Sequence, residues 1–300
     1  MLRLAVATTA ETYERMRDPL GERGIEARHV ETAERAIDIA AGEGAYAVGD
    51  DADERPSFDV GFVFPSRIAE GGVADGLLGI PWVNGREAIL RSRQKGETLA
   101  RLSRAGVPVP DSVVVSDPAD QSTLREVFAR FEPPVVVKPN STTRGIGVAK
   151  AHDLDSFLGV CDYLDLVHDY RATGDRSFLV QEYLPAATDY RVMLVDGEVV
   201  GAVERRLPDD ALAAGQWKHN VHRGADATGV SLEPELEQLA GRAAQALDIP
   251  WLGVDLLVSE GRAVVNETNA RPTIDSATKY QAGFWDDLAA LIRSRAPEDG

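Results

Sequence analysis

The chain reads as an α/β protein that continues into α+β lobes, and three observations predict this. Over residues 1–90 short apolar runs alternate with amphipathic segments, the rhythm of a layered and mostly parallel sheet. Further on, β-rich runs flank turn residues at Asp196-Gly197 and across Ser259–Arg262, a pattern that signals antiparallel hairpins. The 300 residues, 44% of them hydrophobic, suffice for about two or three globular domains.

In the first stretch Leu2–Ala7, Ile25–Val30, Asp59–Phe64 and Ile80–Val83 are expected as strands, with Thr12–Arg23 and Glu31–Ala41 as helices. Gly42–Pro56 is acidic and loop-like. One helix is expected from about Gly85 to Arg104, ended by Gly106 and Pro108, and it carries Lys95. Then come a strand at Ser112–Val115, a helix near Gln121–Phe131, and the apolar run Val135–Pro139 with Lys138 near its end. Burying that lysine costs several kcal/mol unless an anion meets it. The tract Asn140–Lys150, NSTTRGIGVAK, is a glycine-bearing loop rich in N–H donors, of the type that covers phosphates; alone it equally suits an ordinary turn. Val148–Ala151 follows as a strand and Leu154–His168 as a helix. Ser177–Tyr183, Tyr190–Val195 and Glu198–Arg205 are expected as strands, and 207–230 as a long polar loop with Trp217, Lys218, His219, Asn220, His222 and Arg223. Leu236–Leu247 and Thr278–Arg295 close the series as helices.

Composition narrows the function classes. No window approaches the ~20 apolar residues of a membrane span, and the N-terminal apolar run is too short for a signal peptide. One cysteine, Cys161, excludes an internal disulfide and fits a reducing cytoplasm. The net charge is −17, and only five of the 32 basic residues are lysines, leaving 27 arginines. That balance suits a salt-rich, halophilic cytoplasm or an acidic mesophilic enzyme. It argues against a nucleic-acid partner, because no basic stripe is there to release counterions. Neither a dinucleotide-type G-x-G-x-x-G turn nor a G-x-x-x-x-G-K-[ST] loop is present.

The most informative stretch is Gly253–Pro272, GVDLLVSEGRAVVNETNARP. It reads as a hairpin whose second strand sets Glu267 and Asn269 on one face, roughly 7 Å apart. A three-residue loop (Glu260, Gly261, Arg262) would bring Asp255 opposite Glu267, and a two-residue loop would put it on the other face. With no basic residue on either strand near them, two carboxylates and an amide oxygen form a hard-oxygen set that suits Mg²⁺ or Mn²⁺. An acidic solvent-facing hairpin is the alternative.

Taken together, Lys138, the loop Thr142–Gly147, Gln181-Glu182-Tyr183, Asp189-x-Arg191, Asn220-x-His222-Arg223-Gly224 and Asp255 followed by Glu267-x-Asn269 resemble the ATP-grasp fold. The resemblance is nearest to its RimK-like α-L-glutamate ligase branch and covers about residues 60–295. It implies an N-terminal α/β domain over 1–90, a central lobe with the phosphate loop over 91–180, and a C-terminal lobe with the metal site over 181–300. It further implies that Lys95 and Lys138 reach the ATP phosphates, under a loop that includes Thr143, Gly145 and Gly147. Glu182 and Tyr183 would sit at the adenine hinge with Asp189 near the nucleotide. Lys218 and Asn220 would contact phosphates and acceptor. Asp255, Glu267 and Asn269 would hold two Mg²⁺ or Mn²⁺ ions, and Lys138, Arg191, Asn220 and Arg271 would serve the chemistry.

The implied activity is an ADP-forming carboxylate–amine ligase that passes through an acyl phosphate, with glutamate as the incoming amine. The acceptor carboxylate would belong to a protein tail, a coenzyme or a peptide, and a homo-oligomer is compatible with the pattern. A phosphotransferase or a regulatory nucleotide-binding protein would share the scaffold. Three departures from the family pattern are visible: Thr142 in place of a loop glycine, Lys218-His219-Asn220 in place of Arg-Ser-Asn, and Arg271-Pro272-Thr273 in place of Ser-Pro-Gly. Arg271 lies two residues beyond Asn269, so a continuing strand would aim its planar fork into the site as a clamp for a substrate carboxylate. Lys150 is expected to be a bystander.

Overall fold

A computed structural model describes residues 1–34, 37, 39, 57–142, 145–168, 176–218, 224–275 and 280–297. The first sheet is wholly parallel, with β1 (Leu2–Val6), β2 (Ile25–His29), β3 (Val60–Val63) and β4 (Trp82–Asn84) in the order β2-β1-β3-β4. Its helices are α1 (Ala10–Gly21), capped by the Thr9 side chain, and α2 (Ile68–Leu78). The glycine-rich sequence of α2 lacks an apolar stripe, which is why periodicity passed over it. Residues 31–34 form no helix and turn at 33–34, with Glu34 at φ 60°; most of that expected helix lies outside the described residues.

The helix expected over Gly85–Arg104 is two: α3 (Arg86–Arg93) and α4 (Lys95–Arg104). Gln94 adopts an extended conformation (φ −90°, ψ 101°) between them, ending one helix and starting the next. Lys95 therefore opens α4, where its backbone N–H donates to Asn140 O at 3.0 Å.

A second, antiparallel sheet comprises β5 (Ser112–Ser116), β6 (Val135–Pro139), β7 (Ala149–Ala151) and β8 (Ser177–Glu182), ordered β5-β8-β6-β7. Strand alternation sorts β6: Val135 and Val137 enter an apolar core with α5 (Gln121–Phe128) and α6 (Leu154–His168), and Val136 and Lys138 face the other way. The third sheet, also antiparallel, is built from β9 (Thr188–Val195), β10 (Glu198–Arg206), β11 (Asp226–Gly229), β12 (Trp251–Ser259) and β13 (Arg262–Asn269), ordered β11-β10-β9-β12-β13. The long polar loop expected over 207–230 thus contains β11 and a short α7 (Asp209–Ala213). On this sheet lies α8 (Pro234–Leu247), and α9 (Phe284–Arg295) closes the described chain.

Among the described residues two large apolar cores dominate, beside a smaller cluster of Ala5, Ala7, Val30, Phe58 and Ala74. One pools side chains of the first and third sheets, with Trp251 buried between Phe62 and Phe284 at centroid distances of 6.0 Å each. The other belongs to residues 115–180 alone. Buried Asn84 stitches the first pair together: its Nδ2 donates to Trp251 O (2.6 Å) and Ala270 O (2.7 Å), and its Oδ1 accepts from Trp251 N (3.2 Å). No helix among the described residues is long and apolar enough to cross a membrane.

Candidate functional site

Between the second and third sheets lies a cavity of about 760 Å³. Lys138 enters it from β6 and Lys95 from the start of α4, both at 5% exposure or less. The Lys138 ammonium is 3.3 Å from Asn266 Oδ1. The Lys95 ammonium donates to Thr142 O and lies 3.3 Å from Glu267 Oε1. Burial pulls the Lys138 pKa down to about 8; nearby Glu267 opposes that shift and Lys95 adds to it. A buried ammonium so placed is stabilised by any anion that joins it.

The hairpin that supplies Glu267 and Asn266 reaches its register by a route the sequence did not disclose. Ser259 pairs with Arg262, so the turn has two residues, Glu260 (φ 51°) and Gly261 (φ 78°), and not the three expected. By itself such a turn would carry Asp255 to the far face. A β-bulge restores it: Leu256 pairs with Val265, but Asp255 pairs with Glu267, leaving Asn266 as the extra residue. Asp255, Asn266 and Glu267 consequently all line the cavity.

Asp255 is not short of cationic partners. They come from neighbouring strands: Arg191 of β9 stands directly across from it and binds it bidentately (Nε–Oδ1 2.8 Å, Nη2–Oδ2 2.9 Å). Arg205 of β10 reaches Asp255 Oδ2 at 3.1 Å and Asp189 Oδ1 at 2.5 Å, bridging both carboxylates. Burial works to raise the Asp255 pKa, and the two guanidinia overcome it and hold the carboxyl well below the usual range. Asp189 is pushed up to about 6 by burial, with Asp255 adding to the shift and Arg205 and Arg191 opposing it. Sequence reasoning missed Arg205. Its signal was alternation along β10, which turns Arg205 inward while Arg206 faces solvent.

The remaining expected residues divide between the cavity and its surroundings. Gly145, Glu182, Tyr183, Asp189 and Lys218 line it. The Glu182 carboxylate itself is engaged by Asp111 N (2.7 Å) and by Arg262 (2.8 Å). Gly147 (φ 74°) packs on Pro139, where a Cβ would come within 2.7 Å of the ring. Lys218 donates to Val148 O. Asn269 Oδ1 accepts from Arg271 N at 2.9 Å. Thr143 and Asn220, with His219, His222 and Arg223, lie outside the described residues.

Arg271 departs from expectation because β13 stops at Asn269 and the chain bends at once. Its fork turns away from the cavity and donates to Phe64 O and to Ala7 O (2.8 Å), beyond the ends of β3 and β1. Burial lowers its pKa to about 10. As a clamp for a substrate carboxylate it is in the wrong place. Arg191 is likewise committed, to Asp255.

Chemically, the cavity joins ammonium groups with carboxylate and amide oxygens, which suits a polyphosphate together with a hard cation. Three of the roughly four acceptor positions of Asp255 are taken by arginine N–H groups. The set left for a cation is the rest of Asp255 with Glu267 and the asparagine amides. Among the described residues no three His, Cys, Asp or Glu side chains cluster around one point, so such an ion would keep water or substrate oxygens as ligands.

Residues 92–289 match the family model described as the RimK-like ATP-grasp domain. Over 205 residues the chain is 33% identical to a probable α-L-glutamate ligase of Citrobacter koseri, and 32% identical to the ribosomal protein bS6–L-glutamate ligase of Escherichia coli. Each alignment covers 68% of this chain and 64% of the relative, so the chain spans about 64% of the length of the curated relatives it matches. Among solved structures, a RimK-domain ATP-grasp protein from Sphaerobacter thermophilus superposes with TM-score 0.65 at 21% identity, covering 98% of this chain and 99% of that one. The ATP-grasp ligase PsnB, complexed with a minimal precursor, Mg and ADP, superposes with TM-score 0.66 at 17% identity, covering 97% of each chain. At these identities the superpositions speak for the fold.

Proposed function

The chain belongs to the RimK-like ATP-grasp family, and from that premise we propose that it is an ATP-dependent carboxylate–amine ligase that adds L-glutamate to an acceptor carboxylate. The observation that carries this reading is the convergence of two buried lysines with the acid-and-amide hairpin in one cavity. The names of the relatives support glutamate as the amine, and the bS6 ligase supports a protein tail as the acceptor.

A carboxylate acylates poorly because its leaving group would be oxide. In the proposed reaction the acceptor carboxylate oxygen attacks the γ-phosphorus of ATP, the bond to ADP breaks, and an acyl phosphate forms. The glutamate amine then attacks the carbonyl carbon, a C–N bond forms, phosphate leaves, and the amine proton passes to solvent. Negative charge grows on phosphate oxygens in the first step and leaves with phosphate in the second, and Lys95 and Lys138 are the cations that meet it. Glu182 and Tyr183 border the base, Asp189 lies near the nucleotide, and Lys218 with Asn220 contacts the phosphates and the acceptor. Asp255, Glu267 and Asn269 would hold two Mg²⁺ or Mn²⁺ ions, which would neutralise phosphate charge when bound. Arg191 and Arg205 keep the Asp255 carboxylate ionised and oriented for that task. The loop Thr142–Gly147 excludes water that would hydrolyse the acyl phosphate. The lone buried thiol supports a reducing cytoplasm as the location.

The test is incubation with ATP, Mg²⁺, a panel of amino acids and acceptor peptides with free C-terminal carboxylates, followed by nucleotide analysis and mass spectrometry. Expected are ADP, phosphate and an acceptor heavier by one or more glutamate residues. AMP with pyrophosphate would overturn the acyl-phosphate route, and ADP without an amide product would favour a phosphotransferase.

A further inference from the structure

Four of the chain's five lysines, Lys95, Lys138, Lys150 and Lys218, line the one cavity, while the 27 arginines supply the rest of the basic charge. Lys279 lies outside the described residues. Lys95, Lys138 and Lys218 each have a protein oxygen as partner. Lys150 is held differently. Its ammonium sits 4.6 Å from the ring centroid of Tyr183 and 5.4 Å from that of Trp217. The two rings stand edge to face, 5.9 Å apart at 81°.

Strand register defines where Lys150 can reach. On β7 it pairs with Val136, which pairs in turn with Gln181 of β8, and cross-strand partners share a face. Val136 and Lys138 are two apart on β6 and share that face as well, so Lys150 and Lys138 project into the same cavity from adjacent rows. The Lys138 row pairs with Leu179 and the Lys150 row with Gln181, one residue short of Glu182. Lys150 is thus on the hinge side of Lys138, between the end where a base would lie and the end where terminal phosphates would lie.

We propose that Lys150 is a further nucleotide-binding residue, which leaves the faces of Tyr183 and Trp217 to bind the phosphate nearest the nucleoside. The proposal rests on the reading that a nucleotide occupies this cavity. A ring face is a weak partner for an ammonium, and a phosphate oxygen accepts a charge-assisted hydrogen bond from it, so the exchange favours the nucleotide. Because the innermost phosphate is common to ADP and ATP, loss of Lys150 weakens both alike.

Calorimetry with Mg²⁺–ADP and with the Mg²⁺ complex of a non-hydrolysable ATP analogue, on wild type, Lys150→Met and Lys150→Arg, tests this. The Met variant is expected to bind both nucleotides about tenfold more weakly, by the same factor, and the Arg variant within about threefold of wild type. Trp217 provides a second readout. Its emission, isolated by difference against Trp217→Phe, changes on nucleotide addition in wild type and stays constant in Lys150→Met. Equal ADP affinity of wild type and Lys150→Met overturns the assignment, and so does a loss confined to the triphosphate analogue. Failure of wild type to bind either nucleotide overturns the ligase reading beneath it.

Discussion

Asp255 and Glu267 share a cavity wall but differ in what their loss would leave behind. Asp255 is wrapped by Arg191 and Arg205, whereas Glu267 keeps 34% side-chain exposure and meets the Lys95 ammonium. Both Asp255→Asn and Glu267→Gln are expected to cut turnover by at least about 100-fold, as loss of a ligand to a catalytic ion does. In denaturant unfolding only Asp255→Asn should also lose stability, about 3 kcal/mol, because it leaves buried guanidinium charge uncompensated. Equal stabilities for the two variants would remove the arginine pair from the account. Lys138 makes a prediction in pH. Its folded pKa, about 8, lies below the ordinary lysine value of 10.5, so the folded state disfavours its charged form. The resulting cost is fully present below pH 8 and fades as pH rises toward 10.5. Lys138→Met should therefore raise the stability of the nucleotide-free protein by about 3 kcal/mol near pH 7, with the gain vanishing by about pH 10.5. Nucleotide affinity of the wild type should fall above pH 8 as the ammonium is lost. A stability difference that does not change between pH 7 and pH 10.5 would show that Lys138 is not desolvated.

At the scale of elements, the hairpin shows how a count of residues becomes chemistry. The two-residue turn needs positive φ at Glu260 and Gly261, and the extra residue Asn266 then shifts everything after it by one place. Deleting Asn266 is expected to remove the bulge and leave a regular hairpin in which Glu267 still pairs with Asp255, so Glu267 and Asn269 keep their face. Circular dichroism should remain that of the wild type, and ATP-dependent turnover should fall far less than in Glu267→Gln. A loss of at least about 100-fold would show that Asn266 itself, and not the register alone, serves the site. The break at Gln94 acts in the same way. A continuous helix would have carried Lys95 on a surface stripe, and the break makes it the first residue of α4, pinned to Asn140 and directed at Glu267.

At the scale of the molecule, the first and third sheets share a core and the second keeps its own, so the cavity lies between two bodies. Arg271 belongs to that arrangement. It ties the end of β13 to carbonyls beyond β1 and β3, and Arg271→Met is expected to cost about 2 kcal/mol of stability through unsatisfied buried carbonyls. Wild-type stability in that variant would show the tie to be dispensable. The charge of −17 is a second whole-molecule property. Self-repulsion screened by salt should raise the thermal midpoint between about 0.1 M and 1 M NaCl, over which the screening length drops from about 10 Å to 3 Å. A midpoint that falls over this range would exclude the salt-adapted reading.

Much of this protein was legible in the chain itself. Alternation and turn chemistry are local, so the strands, the Asp196-Gly197 hairpin and the α/β opening followed from residues alone. The ordered motifs from Lys138 to Asn269 were enough to point to the ATP-grasp family, because each demands a residue type at a spacing. What the sequence left open depended on pairing between distant segments. Whether Asp255 faced Glu267 turned on a bulge that no local pattern marks, and its arginine partners came from β9 and β10, more than forty residues away. Arg271 could be counted two residues past Asn269, but only the bend after β13 and the carbonyls of Ala7 and Phe64 decided where its fork went. Lys150 looked like a bystander until antiparallel pairing put it on the face of Lys138. Register is a tertiary quantity: it is set by which strands bury which faces, and one residue of slip exchanges the cavity wall for the core.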